Sequence, residues 1–421
     1  MLAQSVVQTA RPSSLPMVPP AYTDEAPAAR AAAGTGLRIA VFMHDFARTG
    51  VVANAVRLAN ALAARGHRVT LLACSGQGRE AHRIDAGVQI EVACGVAPGE
   101  WSRPLALLLA LPALRRRLRW LQPDILLSAG NHGHLPAMVA SRGLPGLRRV
   151  LRISNDLDHA GDSLPVRRGR RLLQRFLIAR ADRLLLVSAH LARHPLLEEA
   201  LAEGKAVVAA NGVAVEEVQR RAAAACRHPW LDGPVPVVLA MGRLTRQKNF
   251  ATLIRAFARA TQARPLKLII VGGGARAERL RLERLAAQLG MHEQLRFEGE
   301  LENPFPLLAG ARAFVLPSLW EGASNALLEA LACGVPVVAA RSAGNAPEVL
   351  GYGRFGLLVD PLDVAGMAAA ILYQTGEDPT RPANRAAEFA AAAMLARTCN
   401  AVTGEDTPPS FAPAAALPGR P

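Results

Sequence analysis

Aromatic residues make up only 4% of these 421 residues, and no basic run is interleaved with Phe or Tyr as stacking on bases requires, which excludes nucleic acid as an expected partner. The five cysteines, Cys74, Cys94, Cys226, Cys333 and Cys399, are odd in number and never spaced as CxxC. That argues against a disulfide framework or a zinc site and fits a reducing, cytoplasmic setting. No stretch reaches about 18 uncharged apolar residues, so no transmembrane helix is expected. The start, MLAQSVVQTARPSSLPMVPP, lacks a basic segment followed by an apolar core, so no secretory leader is expected either. Acidic residues are scarce relative to basic ones, 34 Asp and Glu against 49 Lys and Arg, for a net charge of +15. This favours anionic partners such as sugar nucleotides or phospholipid surfaces.

What is present is enough chain for two full domains, since single cores stop growing near about 250–300 residues. The richness in Ala, Arg, Leu, Pro and Gly suggests a GC-rich bacterial genome. Residues 1–36 and the closing segment TGEDTPPSFAPAAALPGRP lack periodicity and are expected to be disordered. Between them, short apolar runs alternate with amphipathic helical stretches, the pattern of parallel sheets covered by helices on both faces. The pattern occurs twice, giving an α/β fold of two Rossmann-like, doubly wound domains facing a cleft.

The first, over 37–212, opens with strand LRIAVFM, the loop HDFARTG, and a helix with Val52, Val56, Ala59 and Leu62 at helical spacing. Strands RVTLLA, DILLSA, RVLRIS and DRLLLVS follow, with KAVVAANGV near the exit. A linker over 213–234 leads to the second domain, 235–375, with strands VPVVLAMGRL, LKLIIVGGG, LRFEGE, AFVLPS and VPVVAA. Residues 376–421 hold a last helix and tail. Open α/β sheets bind ligands beyond the carboxyl ends of their strands, so the loops after these strands are where chemistry is expected.

Two of those loops carry charge. In MGRLTRQKNF, Arg243 ends a strand, Lys248 follows five positions later, and Asn249 can N-cap the next helix. Two cations and a helix N-terminus together suit an anion. In LPSLWEGASNALLEALACG, Glu321 projects from a strand end beside Gly322, Ser324 or Asn325 can cap the next helix, and Gly334 ends it. Glu329 falls a turn inside that helix. The backbone amides at Asn325, Ala326 and Leu327 are expected to face the same anion as Arg243 and Lys248.

These residues resemble the retaining, nucleotide-sugar-dependent glycosyltransferases of the GT-B fold, family 4, whose marker is two glutamates separated by seven residues. Here it is Glu321 and Glu329, preceded by PS and followed by EALACGVPVVA. The match extends to GRL…QKN, VGGG, NGV, AGNAPEVL and GLLVDP and covers roughly residues 37–375. The resemblance implies that Arg243 and Lys248 hold the donor diphosphate, that Glu329 accepts from the ribose hydroxyls, and that Glu321 contacts the transferred sugar. It implies that Ser324, Asn325, Ala326 and Leu327 present amides to phosphate or sugar, and that Gly50 lets backbone approach the phosphate, although many relatives carry two glycines where this chain has Thr49 and Gly50. The implied partners are a UDP- or GDP-sugar donor and a glycan or lipid-linked acceptor, with peripheral contact at the inner membrane. Neither a cofactor nor a metal is required, because preorganised cations and dipoles can stabilise the departing diphosphate.

His132 and Asn155, after strands DILLSA and RVLRIS, are assigned to the acceptor side. Many relatives place a histidine where this chain has Ser154 and Asn155, with His159 further along, which leaves open a catalytically lapsed binding protein. A less favoured alternative reads Gly272, Gly274 and Ala277 as a dinucleotide-binding GxGxxA with Glu298 as the ribose partner. Asp156 and Asp158 have DxD spacing but read better as loop residues, and His132 with His134 lacks a third ligand at metal spacing. The segment WSRPLALLLALPALRRRLRW, with Trp101 and Trp120 at its ends, reads as a core helix with an Arg-rich outer face or as a membrane-surface segment.

Overall fold

A computed structural model describes residues 36–405 except 48, 77, 94–106 and 227. Trp101 and the expected disordered ends lie outside the described residues, apart from Gly36 and 403–405, of which Thr403 closes the last helix. Two parallel sheets form. The first comprises β1 (Arg38–Met43), β2 (Arg68–Ala73), β3 (Val88–Val92), β4 (Ile125–Ser128), β5 (Arg148–Ile153), β6 (Arg183–Leu186) and β7 (Ala206–Val208), in the order β3-β2-β1-β4-β5-β6-β7. The second comprises β8 (Val237–Met241), β9 (Lys267–Val271), β10 (Leu295–Gly299), β11 (Ala313–Leu316), β12 (Val337–Ala340) and β13 (Leu357–Val359), in the order β10-β9-β8-β11-β12-β13. Both are doubly wound, reversing direction beside their first strand, so a crevice opens there at the carboxyl ends. β3 and β13 were not among the expected strands: VQIEV interrupts its apolar residues with Gln89 and Glu91, and β13 is three residues long.

The central strands are apolar throughout because both faces are covered. Along β1, Ile39, Val41 and Met43 join one core while Ala40 and Phe42 join the core on the opposite face. β8 repeats this with Val237, Leu239 and Met241 against Val238 and Ala240. Val41 pairs with Leu71 on one side and Leu127 on the other, fixing β1 as the centre of its sheet.

The segment 213–234 is more than a tether. It contains a helix, Val215–Ala222, whose Val218 is buried in the second domain's core. The chain also returns. Val213 and Phe389–Ala391 lie side by side through hydrogen bonds Val213 N to Phe389 O (2.8 Å) and Ala391 N to Val213 O (2.9 Å). The last helix, Ala391–Thr403, then buries Cys399, Ala401 and Val402 in the first domain's core, so that domain is completed by residues from the far end of the chain.

In the Arg-rich segment, the described helix Leu111–Leu121 buries Leu114 and Leu118. Arg115 donates to the carbonyls of Ala140 (3.0 Å) and Arg142 (2.7 Å), and Arg117 pairs with Glu91, so two of its arginines serve internal contacts. No helix among the described residues is long and apolar enough to cross a membrane.

Candidate active site

A cleft of about 430 Å³ lies between the carboxyl ends of the two sheets. On the second-domain wall, the loop after β8 makes a short turn, Arg246–Lys248, which carries the Lys248 side chain to the loop after β11. There the ammonium forms an ion pair with Glu321 Oε1. Ser318 Oγ donates to the same oxygen at 2.9 Å, and Gln247 Nε2 reaches Oε2 at 3.4 Å. Glu321 is thus buried but fully partnered, which is what makes a carboxylate tolerable there. Arg243 is exposed at the cleft wall and makes no ion pair among the described residues.

Two separate segments, the loops after β8 and β12, hold Glu321 in place. Gln247 O accepts from Leu319 N (2.8 Å), Ser342 Oγ donates to Ser318 O (3.0 Å), and Gly344, with φ +54°, packs so closely that a Cβ would lie 2.4 Å from Glu321 O. The helix Asn325–Ala332 begins beyond it. Ser324 is its N-cap, accepting from Leu327 N at 3.4 Å, while Ser324 N donates to Asn345 Oδ1 at 3.1 Å. Gly334, at φ +71°, follows its end. The first-turn amides of Asn325 and Ala326 have no acceptor within the helix and line the cleft. Leu327 does not share this role, since its N–H is taken by the cap and its side chain is in the core. Glu329 is half-buried; desolvation raises its carboxyl above the ordinary range, opposed by the fields of Arg57, Arg221, Lys248 and Arg83.

Asn249 behaves differently from the cap expected of it. It adopts φ +53°, its side chain makes no capping bond, and Nδ2 instead donates to the carbonyls of Pro317 (3.0 Å) and Pro361 (2.7 Å). It pins the loop bearing Glu321 to the loop after β13.

The first-domain wall carries Gly50, at the start of the helix Gly50–Ala64, together with His132, Ser154 and Asn155. A Cβ on Gly50 would lie 2.8 Å from Asn325 Nδ2, and one on Gly322 would lie 2.5 Å from Ser154 O, so the walls approach through glycines. Ser188 Oγ donates to Gly322 O at 2.8 Å. Asn155 Oδ1 accepts from Gln247 Nε2 at 3.4 Å, placing Asn155 on the domain boundary. His159 stacks on Trp320, centroids 4.9 Å apart, next to Glu321.

Several cleft residues went unread in the sequence. Arg152 on β5 is buried, which lowers its guanidinium to about 10, and it donates to Asn211 Oδ1 at 2.5 Å; Asn211 Nδ2 donates in turn to Asn325 Oδ1 at 2.9 Å. His44 Nδ1 and Asp45 Oδ2 lie 2.8 Å apart after β1, where the glycine-containing loop drew attention away from them. For Asn211, the quoted NGV supplied a signal without a role.

The family model for glycosyl transferases group 1 matches residues 235–374, and that for the glycosyl transferase 4-like domain matches 49–212. Both domains thus match glycosyltransferase family models, the second that of group 1 and the first that of the 4-like domain. The lipopolysaccharide core biosynthesis glycosyltransferase LpsE of Rhizobium meliloti is 41% identical over 144 residues, which span 34% of this chain and 40% of that relative. Sucrose-phosphate synthase from Thermosynechococcus elongatus has the same fold, with a TM-score of 0.68 at 19% identity over 86% of this chain and 96% of that one. So does HepE of Anabaena, solved with UDP and glucose, with a TM-score of 0.67 at 16% identity over 87% and 100%. The GT-B architecture expected from the motifs is therefore the architecture of this chain.

The secondary signals find structural uses. Glu298 Oε1 lies 3.3 Å from His228 Nε2, and Gly272 packs against Gly242, where a Cβ would lie 2.0 Å from its carbonyl oxygen. The GxGxxA glycines thus allow two loops to touch. Asp158 pairs with Arg171 and His194, and Asp156 with His190. His134 is buried against Ser128 Oγ (2.8 Å), and desolvation lowers it to about 3, so it is a neutral core residue apart from His132. Among the described residues, no three His, Cys, Asp or Glu side chains converge as a metal site.

Proposed function

We propose that this glycosyltransferase moves a sugar from a UDP- or GDP-sugar to an acceptor, with retention at the anomeric carbon, and that the acceptor is a cell-envelope or lipid-linked glycan met at the inner membrane face. The observation that carries this reading is the convergence of Arg243, Lys248 and the first-turn amides of Asn325 and Ala326 beside the carboxylates Glu321 and Glu329. The cell-envelope acceptor draws on the likeness to LpsE, a lipopolysaccharide core enzyme by name, and the uridine nucleotide on the HepE complex.

In this reading the diphosphate lies over the helix N-terminus, and Arg243 and Lys248 neutralise the charge that grows as the glycosidic bond breaks. Glu329 accepts from the ribose hydroxyls. Glu321 accepts from the sugar hydroxyls, its geometry set by Ser318 and Lys248. The acceptor hydroxyl attacks from the face the diphosphate leaves, and the departing phosphate oxygen takes its proton. No cofactor beyond the sugar nucleotide enters. Gly50 gives the phosphate a close approach from the first domain, while His132 and Asn155 border the acceptor.

The alternative is a nucleotide-sugar-binding protein without turnover, favoured by Asn155, whose side chain is engaged with Gln247 at the domain boundary. Release of nucleotide diphosphate by the purified protein, measured with UDP- and GDP-sugars with and without candidate acceptors, separates the two. Acceptor-stimulated release supports the transferase; binding without release from any of these donors overturns it.

A further inference from the structure

The helix Leu164–Arg180, which follows the acceptor-side loop after β5, buries only Leu177. Its inner edge is held by Arg170 to Asp162, Arg171 to Asp158, and Gln174 to the carbonyl of Leu157. Gly169, Leu172, Leu173 and Phe176 recur at positions i, i+3, i+4 and i+7, the spacing by which a helix normally faces a core. All four are exposed, Leu172 at 66% and Phe176 at 43%. Leu135 and Val139, exposed one turn apart on the touching helix His134–Ala140, extend the apolar surface.

Charge of one sign surrounds it. Arg167, Arg168, Arg175 and Arg180 are exposed on the same helix, Arg180 stacks over the Phe176 ring at 5.5 Å, and the helix carries no acidic residue. An exposed apolar stripe flanked on its own helix by arginines and no carboxylate is unfavourable toward water and toward a cationic partner. It matches an anionic lipid surface, in which the rings and leucines enter the acyl boundary while the guanidiniums meet phosphates.

We propose that this two-helix face is the surface by which the protein docks on an anionic bilayer. The inference rests on the lipid-linked acceptor reading and deepens it. Both helices spring from the acceptor wall, since His132 lies two residues before one, and Ser154 and Asn155 directly follow the strand that precedes the other. Docking through this face holds the acceptor side of the cleft at the membrane, where a lipid-linked hydroxyl is presented.

Flotation of the full chain with vesicles of phosphatidylcholine alone, and of phosphatidylcholine mixed with phosphatidylglycerol, tests this. Binding is expected only to the mixed vesicles. Leu172→Glu with Phe176→Glu is expected to reduce it at least about tenfold, and Arg168→Glu with Arg175→Glu to abolish its dependence on anionic lipid. All four side chains are exposed, so circular dichroism and melting are expected to match the parent. Nucleotide release with a water-soluble acceptor is read in parallel. Release without vesicle binding overturns the docking surface and leaves the transferase reading intact; vesicle binding without release does the reverse. If the face instead joins two copies, light scattering shows a dimer that Leu172→Glu with Phe176→Glu dissociates while the parent fails to float, and the docking surface is overturned.

Discussion

The helix Phe250–Ala260 of the second domain follows β8 at the centre of its sheet, and the helix Leu164–Arg180 of the first follows β5, two strands out from the centre strand β1. The former buries Phe250, Leu253, Ile254, Ala256 and Phe257 against its sheet; the latter buries Leu177 alone and turns Leu172, Leu173 and Phe176 outward. Their cleft walls differ in the same sense. The second-domain wall is a set of charges clamped to one another, with Glu321 held by Lys248, Ser318 and Gln247. The first-domain wall offers glycine, histidine and amide groups, with its one buried cation, Arg152, bound to Asn211. Under the proposed function, the wall that fixes the charged donor is built of preset charges, whereas the wall that receives the acceptor is built of glycine, histidine and amide groups.

Breaking the charged wall has the largest expected effect. Glu321→Gln should reduce turnover by about 10² or more while changing nucleotide diphosphate affinity far less, read by steady-state release and calorimetry; comparable losses of both would place Glu321 on the nucleotide. Glu329→Ala should weaken nucleotide diphosphate binding by about tenfold, as expected for a lost charge-assisted hydrogen bond. Because desolvation raises Glu329, binding that needs its carboxylate should weaken as pH falls through that raised pKa, and the mutant should lack this component. Unchanged affinity in Glu329→Ala removes the ribose assignment.

On the other wall, His132→Ala should raise the acceptor KM several-fold and leave acceptor-independent donor hydrolysis as it was. An equal loss of hydrolysis would erase the contrast between the walls. A separate effect, away from the cleft chemistry, concerns stability. His134 is lowered to about 3 from an ordinary 6.5, so between these values the unfolded chain binds a proton that the native chain does not. Stability contributed by His134 is therefore fully present above about 6.5 and declines on acidification toward 3, by about 1.4 kcal/mol per pH unit. Denaturant melts of parent and His134→Leu across that window should show the slope in the parent and a shallower one in the mutant.

The sequence alone determined the alternation of the two sheets with their helices and the helix after Ser324 with its end at Gly334, because each depends on neighbours within a few residues: apolar alternation, a cap, a glycine; the meeting of the GRL…QKN and EGASNALLE loops needs β8 beside β11. It carried the meaning of PS and AGN only as letters. That Asn345 holds the Ser324 amide requires strands β11 and β12 to be adjacent, whereas Ser318 bonds Glu321 within a single loop. Asn249 looked like a cap because the residue type is right, yet its left-handed backbone turned the side chain toward Pro317 and Pro361 instead. Only the tertiary structure joined Arg152, Asn211 and Asn325, buried His134 away from His132, and returned Ala391–Thr403 to the first domain. It alone also decided which apolar stripe is inside. Gly169, Leu172, Leu173 and Phe176 have the same helical period as a core stripe, and a period states that a face exists without stating what covers it.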